Sequence, residues 1–159
     1  MKTRTDSLRG IRLLLGIVIA GLIGSGLSAF PLLSESAWLD RFVHAFAFPQ
    51  FVTEWIAFVE RGLDKTYSIY PFVGYGTDWL AFGHLVIALF LIGAFVDPLR
   101  NIWIVRASMI ACVLVIPTAL VCGAVRGIPL WWRMIDSSFG IVGFVPLFFA
   151  NRMLRVLPD

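Results

Sequence analysis

The sequence predicts an all-α integral membrane protein in which four transmembrane helices form one bundle, with short interfacial helices in the external loop between spans one and two. Three observations lead to this prediction. The chain of 159 residues is 59% hydrophobic, against about 45–50% for soluble domains, and its mean hydropathy is +0.87. Apolar runs of about 20 residues, the length that crosses a bilayer, occur four times. Basic residues stand at the ends of these runs, where membrane proteins carry their orientation signals.

The predicted spans make the chain a single transmembrane domain. They cover residues 13–33, 79–96, 102–122 and 130–150. The segment before the first span is basic, whereas the loop 34–77 is net acidic. The positive-inside rule therefore places both termini in the cytoplasm and this loop outside. We expect a multi-pass protein of the cell inner (plasma) membrane.

A cleaved signal peptide is an alternative interpretation of the N-terminal run. The run has a basic start and an apolar stretch, followed by small residues at 26–29. However, the apolar stretch continues through residues 30–33 without a clear small-x-small cleavage site. We therefore favour a retained first span.

The external loop is too long for a plain connection and should carry structure of its own. Residues 36–48, and residues 51–61 after Pro49, have apolar side chains at helical spacing. Both are predicted as amphipathic helices that lie on the outer surface with their aromatic rings in the headgroup zone. Residues 67–79 are predicted as a structured loop in which Thr77 or Asp78 caps the second span; a lid over an external cleft is the alternative.

Small residues recur at every fourth position along the first span. This spacing lets two helix backbones approach closely and gain contacts that lipid cannot supply. Two interpretations are open: packing within the bundle, or a seam against a second copy of the chain or a partner membrane helix. The helix-packing residues are Gly16, Ala20, Gly24 and Ser28.

Four ionisable side chains at similar depth near the outer ends of the spans form a candidate polar pocket: His84, Arg126, Arg133 and Asp136. Charged groups in a span cost about 2.5–3.5 kcal/mol on insertion scales, so they need partners or a purpose. Arg126 and Arg133 could hold an anionic headgroup or carboxylate, and His84 could exchange a proton with Asp136. In the alternative, Arg133 and Asp136 neutralise each other and His84 makes one interhelix hydrogen bond.

A second charged group lies near the predicted cytoplasmic turn between spans two and three. Arg106 stands about one turn into the third span, and Asp97 stands in the turn. An ion pair between them would join the two spans and have a structural role. Snorkelling of Arg106 to inner-leaflet phosphates is the alternative.

Several function classes lack their sequence signals. There is no Walker glycine loop and no His-Glu-x-x-His motif, so we expect neither nucleotide hydrolysis nor a metal, and we expect no cofactor. Cys112 and Cys122 are about 15 Å apart along a helix, which is too far for a disulfide. The net charge is +3, but the basic residues do not line one polar face, as they do in a nucleic-acid-binding protein.

Several segments together resemble a group of uncharacterised bacterial four-span inner-membrane proteins. They are GLSAFPL (26–32), YGTDWLAFGHLVIALFLIG (75–93), DPLRNIW (97–103), MIACVLVIP (109–117) and RGIPLWWRMIDSSFG (126–140). In size and span count the chain is also similar to DoxX-like membrane proteins. The segment DRFVHAFAF (40–48) is similar to a VanZ-like motif, but the order of the other motifs departs from that family.

The pattern as a whole favours a non-enzymatic accessory protein that binds membrane lipids, a partner helix or a second copy of the chain. The alternative is a membrane-embedded enzyme or carrier acting on a lipidic or anionic substrate at the outer leaflet. The two differ in whether His84, Arg133 and Asp136 meet in one water-reachable cavity.

Overall fold

The computed structural model describes residues 4–157, and this part of the chain contains six α-helices and no strand. The all-α prediction is confirmed. The helices are α1 (Arg4–Ala29), α2 (Leu32–Ala45), α3 (Gln50–Ile69), α4 (Phe72–Val96), α5 (Ile102–Val125) and α6 (Leu130–Val156).

Four of the helices in the described range, α1, α4, α5 and α6, are long and apolar enough to cross a membrane. Large apolar side chains remain exposed on all four, among them Leu13, Leu89, Val121 and Val142. Such a surface requires an apolar solvent, because soluble monomers seldom expose large contiguous apolar patches. These helices support a multi-pass membrane protein and are consistent with a helical bundle.

Two helix boundaries differ from the sequence-based expectation. The first predicted span extends to residue 33, but α1 ends at Ala29 and Pro31 precedes the next helix. The predicted loop 67–79 is wrong, because α3 continues to Ile69 and α4 begins at Phe72. Pro71 stands just before α4, where its fixed φ suits a helix start.

Tertiary contacts explain why this tyrosine- and glycine-rich segment is helical. The ring of Tyr67 packs against Gly74, where an added Cβ would lie 3.1 Å from the ring carbon Cε2. Thr77 donates its hydroxyl to the carbonyl oxygen of Gly74 at 2.7 Å, and the Tyr67 hydroxyl lies 3.0 Å from Thr77 Oγ1. Thr77 therefore lies inside α4, and the predicted helix cap at Thr77 or Asp78 is wrong.

The described residues form two compact units, which we call the hairpin unit (22–86) and the core unit (4–21 and 87–157). In the hairpin unit, α2 and α3 pack against each other and bury Val43 and Ile56. These two helices occupy the segment predicted to be amphipathic; their position at a membrane interface stays a prediction. In the core unit, α5 packs against α6.

Candidate functional site

A short turn joins α5 and α6 at one end of the core unit. Gly127 has a φ of +70°, a conformation that glycine adopts without steric cost. Its N–H donates to the Ala124 carbonyl at 3.1 Å, and the Ile128 N–H donates to the Gly123 carbonyl at 2.9 Å. These two bonds form a Schellman ending for α5. Pro129 then precedes α6, so the chain reverses within a short turn.

A glycine brings the two helix backbones together midway along α6. Gly140 is buried, and a Cβ added there would overlap the carbonyl oxygen of Cys112 on α5. Only glycine leaves room for this approach, as in other closely packed membrane helices. The same close approach places Gly143 beside the Cys112 sulfur.

A cleft of about 540 Å³ runs along this helix pair from Ala111 to the α5–α6 turn, and we call it the α5 cleft. Its wall is mainly one face of α5, with small and branched apolar side chains at helical spacing. The hydroxyl of Thr118 donates to the Leu114 carbonyl at 2.8 Å, which satisfies it within the helix. The lining residues are Ala111, Leu114, Val115, Thr118, Ala119, Cys122, Gly123, Arg126, Ile128 and Asp136.

Two charged residues of the predicted polar pocket line this cleft. Arg126 is exposed and follows the last turn of α5, while Asp136 is half-buried and belongs to α6. Within residues 4–157, neither side chain makes a hydrogen bond or an ion pair with another residue. One cation and one anion of the same cleft are thus available to a ligand.

Arg133 binds the backbone of the neighbouring helix. Its Nη1 donates to the carbonyl oxygen of Leu120 at 3.0 Å, and its aliphatic part packs on Gly123. Its Nε is buried with no partner in the described part of the chain. Arg133 therefore joins α6 to the backbone of α5, and it does not form the neutralising pair with Asp136 that the alternative interpretation expected.

His84 belongs to the hairpin unit. Its Nδ1 lies 2.9 Å from the carbonyl oxygen of Leu80, one turn earlier in α4. A carbonyl can only accept, so Nδ1 carries the proton in this bond. The grouping of His84 with Arg126, Arg133 and Asp136 stays a prediction.

The predicted ion pair between Asp97 and Arg106 also stays a prediction. In the structure, each of these two side chains has another partner. Asp97 Oδ1 accepts the backbone N–H of Arg100 at 3.2 Å. Arg106 Nε donates to the buried Asn151 on α6, with 3.4 Å between Nε and Oδ1.

Glycine contacts distribute unevenly along α1. A Cβ added at Gly16 would lie 3.7 Å from the ring of Phe95, whereas a Cβ added at Gly24 would meet no neighbouring residue within 4 Å. The tightest contact on α1 within the hairpin unit is at Gly26, where an added Cβ would lie 3.0 Å from the Ala81 carbonyl oxygen. Gly26 lies outside the predicted stripe of Gly16, Ala20, Gly24 and Ser28, and the four-residue spacing could not have found it.

The sequence-based reasoning also missed two residues that fix the helix ends of the core unit. Arg12 donates from Nε and Nη2 to the carbonyl oxygens of Phe95 and Val96, at 3.1 and 3.0 Å. Asn101 donates its amide to the carbonyl oxygens of Gly93 and Asp97. From the sequence, Arg12 is one of the basic residues before the first span that indicate orientation. Nothing in its local sequence indicates a partner more than 80 residues away.

No group of three or more histidine, cysteine, aspartate or glutamate side chains within residues 4–157 could hold a metal ion. Comparison of the chain with family models, with curated proteins and with solved structures found no match.

Proposed function

We propose that the protein is a non-enzymatic accessory protein of the membrane that holds a phospholipid, with one acyl chain of that lipid along the α5 cleft. The observation that carries this proposal is the shape of the cleft, an apolar face of α5 that leads to Arg126 at its end. Arginine suits a phosphate because its guanidinium presents several donors in one plane.

The dimensions of the cleft support an acyl chain as its occupant. At about 1.5 Å of rise per residue, the face from Ala111 to Cys122 is about 16 Å long. That is roughly half of the ~30 Å hydrocarbon thickness of a bilayer, the depth of one leaflet. The cleft volume of about 540 Å³ also falls within the range of about 300–1,000 Å³ found for small-molecule sites.

The charges of the loops support one orientation of the chain in the membrane. Both termini are proposed to lie in the cytoplasm of a bacterial cell and the membrane to be the inner (plasma) membrane, so Arg126 faces the outer leaflet. The exposed aromatic residues of the hairpin unit, Trp38, Phe42, Phe46 and Phe58, would then lie among lipid headgroups on the outer side.

A groove-filling variant tests lipid binding. Ala119 lines the cleft, whereas Val121 is exposed on the same helix and does not line it. The full chain is purified in detergent, and native mass spectrometry measures phospholipid retained per protein molecule. We expect Ala119→Trp to lose most of the retained lipid and Val121→Trp to keep the wild-type amount. Equal lipid retention in the two folded variants would refute the proposal.

A further inference from the structure

We propose that Arg106 on α5 and Arg155 on α6 together bind the phosphate of an anionic phospholipid, such as phosphatidylglycerol, at the end of this helix pair opposite to Arg126. The inference goes beyond the proposed function and does not depend on it, because neither Arg106 nor Arg155 lines the α5 cleft. It assigns a second lipid site to the core unit.

The contacts between α5 and α6 show that the two helices are antiparallel. Successive residues of α6, taken away from the turn, contact successively earlier residues of α5. These contacts join Arg133 to Leu120, Gly140 to Cys112 and Asn151 to Arg106. The start of α5 therefore lies beside the end of α6, and each of these helix ends carries one of the two arginines.

Asn151 is a neighbour of both arginines. Its side chain is buried, and its Oδ1 lies 3.4 Å from Arg106 Nε. Arg155 follows Asn151 by four residues on α6, a spacing at which the Cβ atoms lie about 5–6 Å apart on one helix face. Side chains lean towards the N-terminus of their helix, so Arg106 leans towards the end of the pair and Arg155 leans back towards Asn151. The two guanidinium groups can therefore reach one phosphate.

Both guanidinium groups have donors available for a ligand. Both arginines are exposed. Within residues 4–157, Arg106 makes only the hydrogen bond from Nε, and Arg155 makes no hydrogen bond or ion pair. Two neighbouring cations without a paired carboxylate repel each other, and an anion bound between them removes that repulsion. The planar donors of arginine suit the oxygens of a phosphate.

The surface around Arg106 favours a lipid as the source of this phosphate. Trp103 and Ile110, its neighbours three residues before and four residues after on α5, are 70% and 55% exposed. Tryptophan near the end of a span is typical of the headgroup level, and basic pockets between membrane helices bind anionic headgroups. A zwitterionic lipid would bring its own ammonium to two cations, whereas phosphatidylglycerol carries no positive charge.

The experiment titrates the purified, delipidated full chain with dioleoyl phosphatidylglycerol or dioleoyl phosphatidylcholine. Native mass spectrometry follows each successive lipid that binds. We expect one binding step of the wild-type chain to favour phosphatidylglycerol about tenfold, as one charge-assisted hydrogen bond would give. Arg106→Gln and Arg155→Gln should each abolish this preference. Arg152→Gln is the matched control and should keep it, because residue 152 does not share the helix face of Asn151.

Further outcomes separate this site from the α5 cleft and from diffuse charge attraction. The preference should survive Arg126→Gln, and soluble glycerol phosphate should not compete with the lipid at equal concentration. The inference is overturned by equal binding of the two lipids to the wild-type chain, a comparison that needs no variant to fold. It is also overturned if both Arg106→Gln and Arg155→Gln keep the preference, if Arg152→Gln or Arg126→Gln abolishes it, or if glycerol phosphate competes equally. None of these results bears on lipid retention in the α5 cleft, which Ala119→Trp tests.

Discussion

The Nη1 atom of Arg133 lies 3.0 Å from the carbonyl oxygen of Leu120, so a cation on α6 binds the backbone of α5 beside the cleft. Gly123 makes this possible, because an added Cβ there would lie 2.5 Å from Arg133 Cδ. The arginine thus holds the wall of the cleft in place, and Asp136 has no ion-pair partner among residues 4–157.

Removing this contact should destabilise the core unit. A hydrogen bond to a charged group contributes about 1.5–3 kcal/mol, so we expect Arg133→Gln to lower the melting temperature in detergent by several degrees. Arg152→Gln is the matched control, since it removes the same charge from an exposed side chain on the same helix that does not line the cleft. Equal melting temperatures for the two variants would contradict this role of Arg133.

Gly140 should be the glycine on which the α5–α6 packing depends most. A Cβ there meets the Cys112 carbonyl oxygen, and backbone cannot move aside as a flexible side chain can. We expect Gly140→Ala to cost about 1–3 kcal/mol, as overpacking does. Gly93→Ala is the control, because nothing lies within 4 Å of its added Cβ and alanine favours a helix by up to about 1 kcal/mol. Thermal unfolding in detergent measures the stability of both variants. A Gly140→Ala variant as stable as the wild type would argue against the close backbone contact.

Arg12 should contribute to stability beyond its charge. Its side chain binds the last carbonyl oxygens of α4 at Phe95 and Val96, where a cation is also favoured by the helix dipole. We expect Arg12→Ala to lower the melting temperature, whereas Arg9→Ala, which removes the same charge from an exposed side chain, should not. If both variants melt alike, only the orientation signal remains as a role for Arg12.

The proposed orientation can be tested by labelling single cysteines in whole cells. Cys112 and Cys122 are first replaced by alanine, and Asp64→Cys or Arg155→Cys is then introduced at an exposed position. A membrane-impermeant maleimide should label position 64 in intact cells and position 155 only after permeabilisation. The reverse pattern, or labelling of both sites in intact cells, would contradict cytoplasmic termini.

The sequence predicted the apolar helices well because length and hydropathy are local properties. The helices α5 and α6 begin at Ile102 and Leu130, the first residues of two predicted runs. The start of α4 was missed because the turn-forming glycines and tyrosines around Gly74 suggested a loop. Contacts from Tyr67 in the preceding helix outweigh that local preference.

The candidate site was only partly predictable for a related reason. The sequence gives the depth of a residue in a span. Depth alone groups four residues in the predicted pocket: His84, Arg126, Arg133 and Asp136. It does not give the rotation of each helix about its axis, which decides that Arg126 and Asp136 line a cleft while Arg133 binds the Leu120 carbonyl. The close glycine at position 140 was missed because it has no four-residue repeat around it.

Photocrosslinking from within the cleft tests the central claim, retention of a lipid along α5, most directly. Leu114 and Val113 are adjacent and both exposed, but only Leu114 lines the cleft. Each is replaced in turn by benzoylphenylalanine, and the chain is purified with detergent washing so that only firmly held lipid remains. Irradiation should yield a phospholipid adduct at position 114, detected by mass spectrometry, and little at position 113. No adduct at either position, or equal adducts at both, would contradict a lipid site in the α5 cleft.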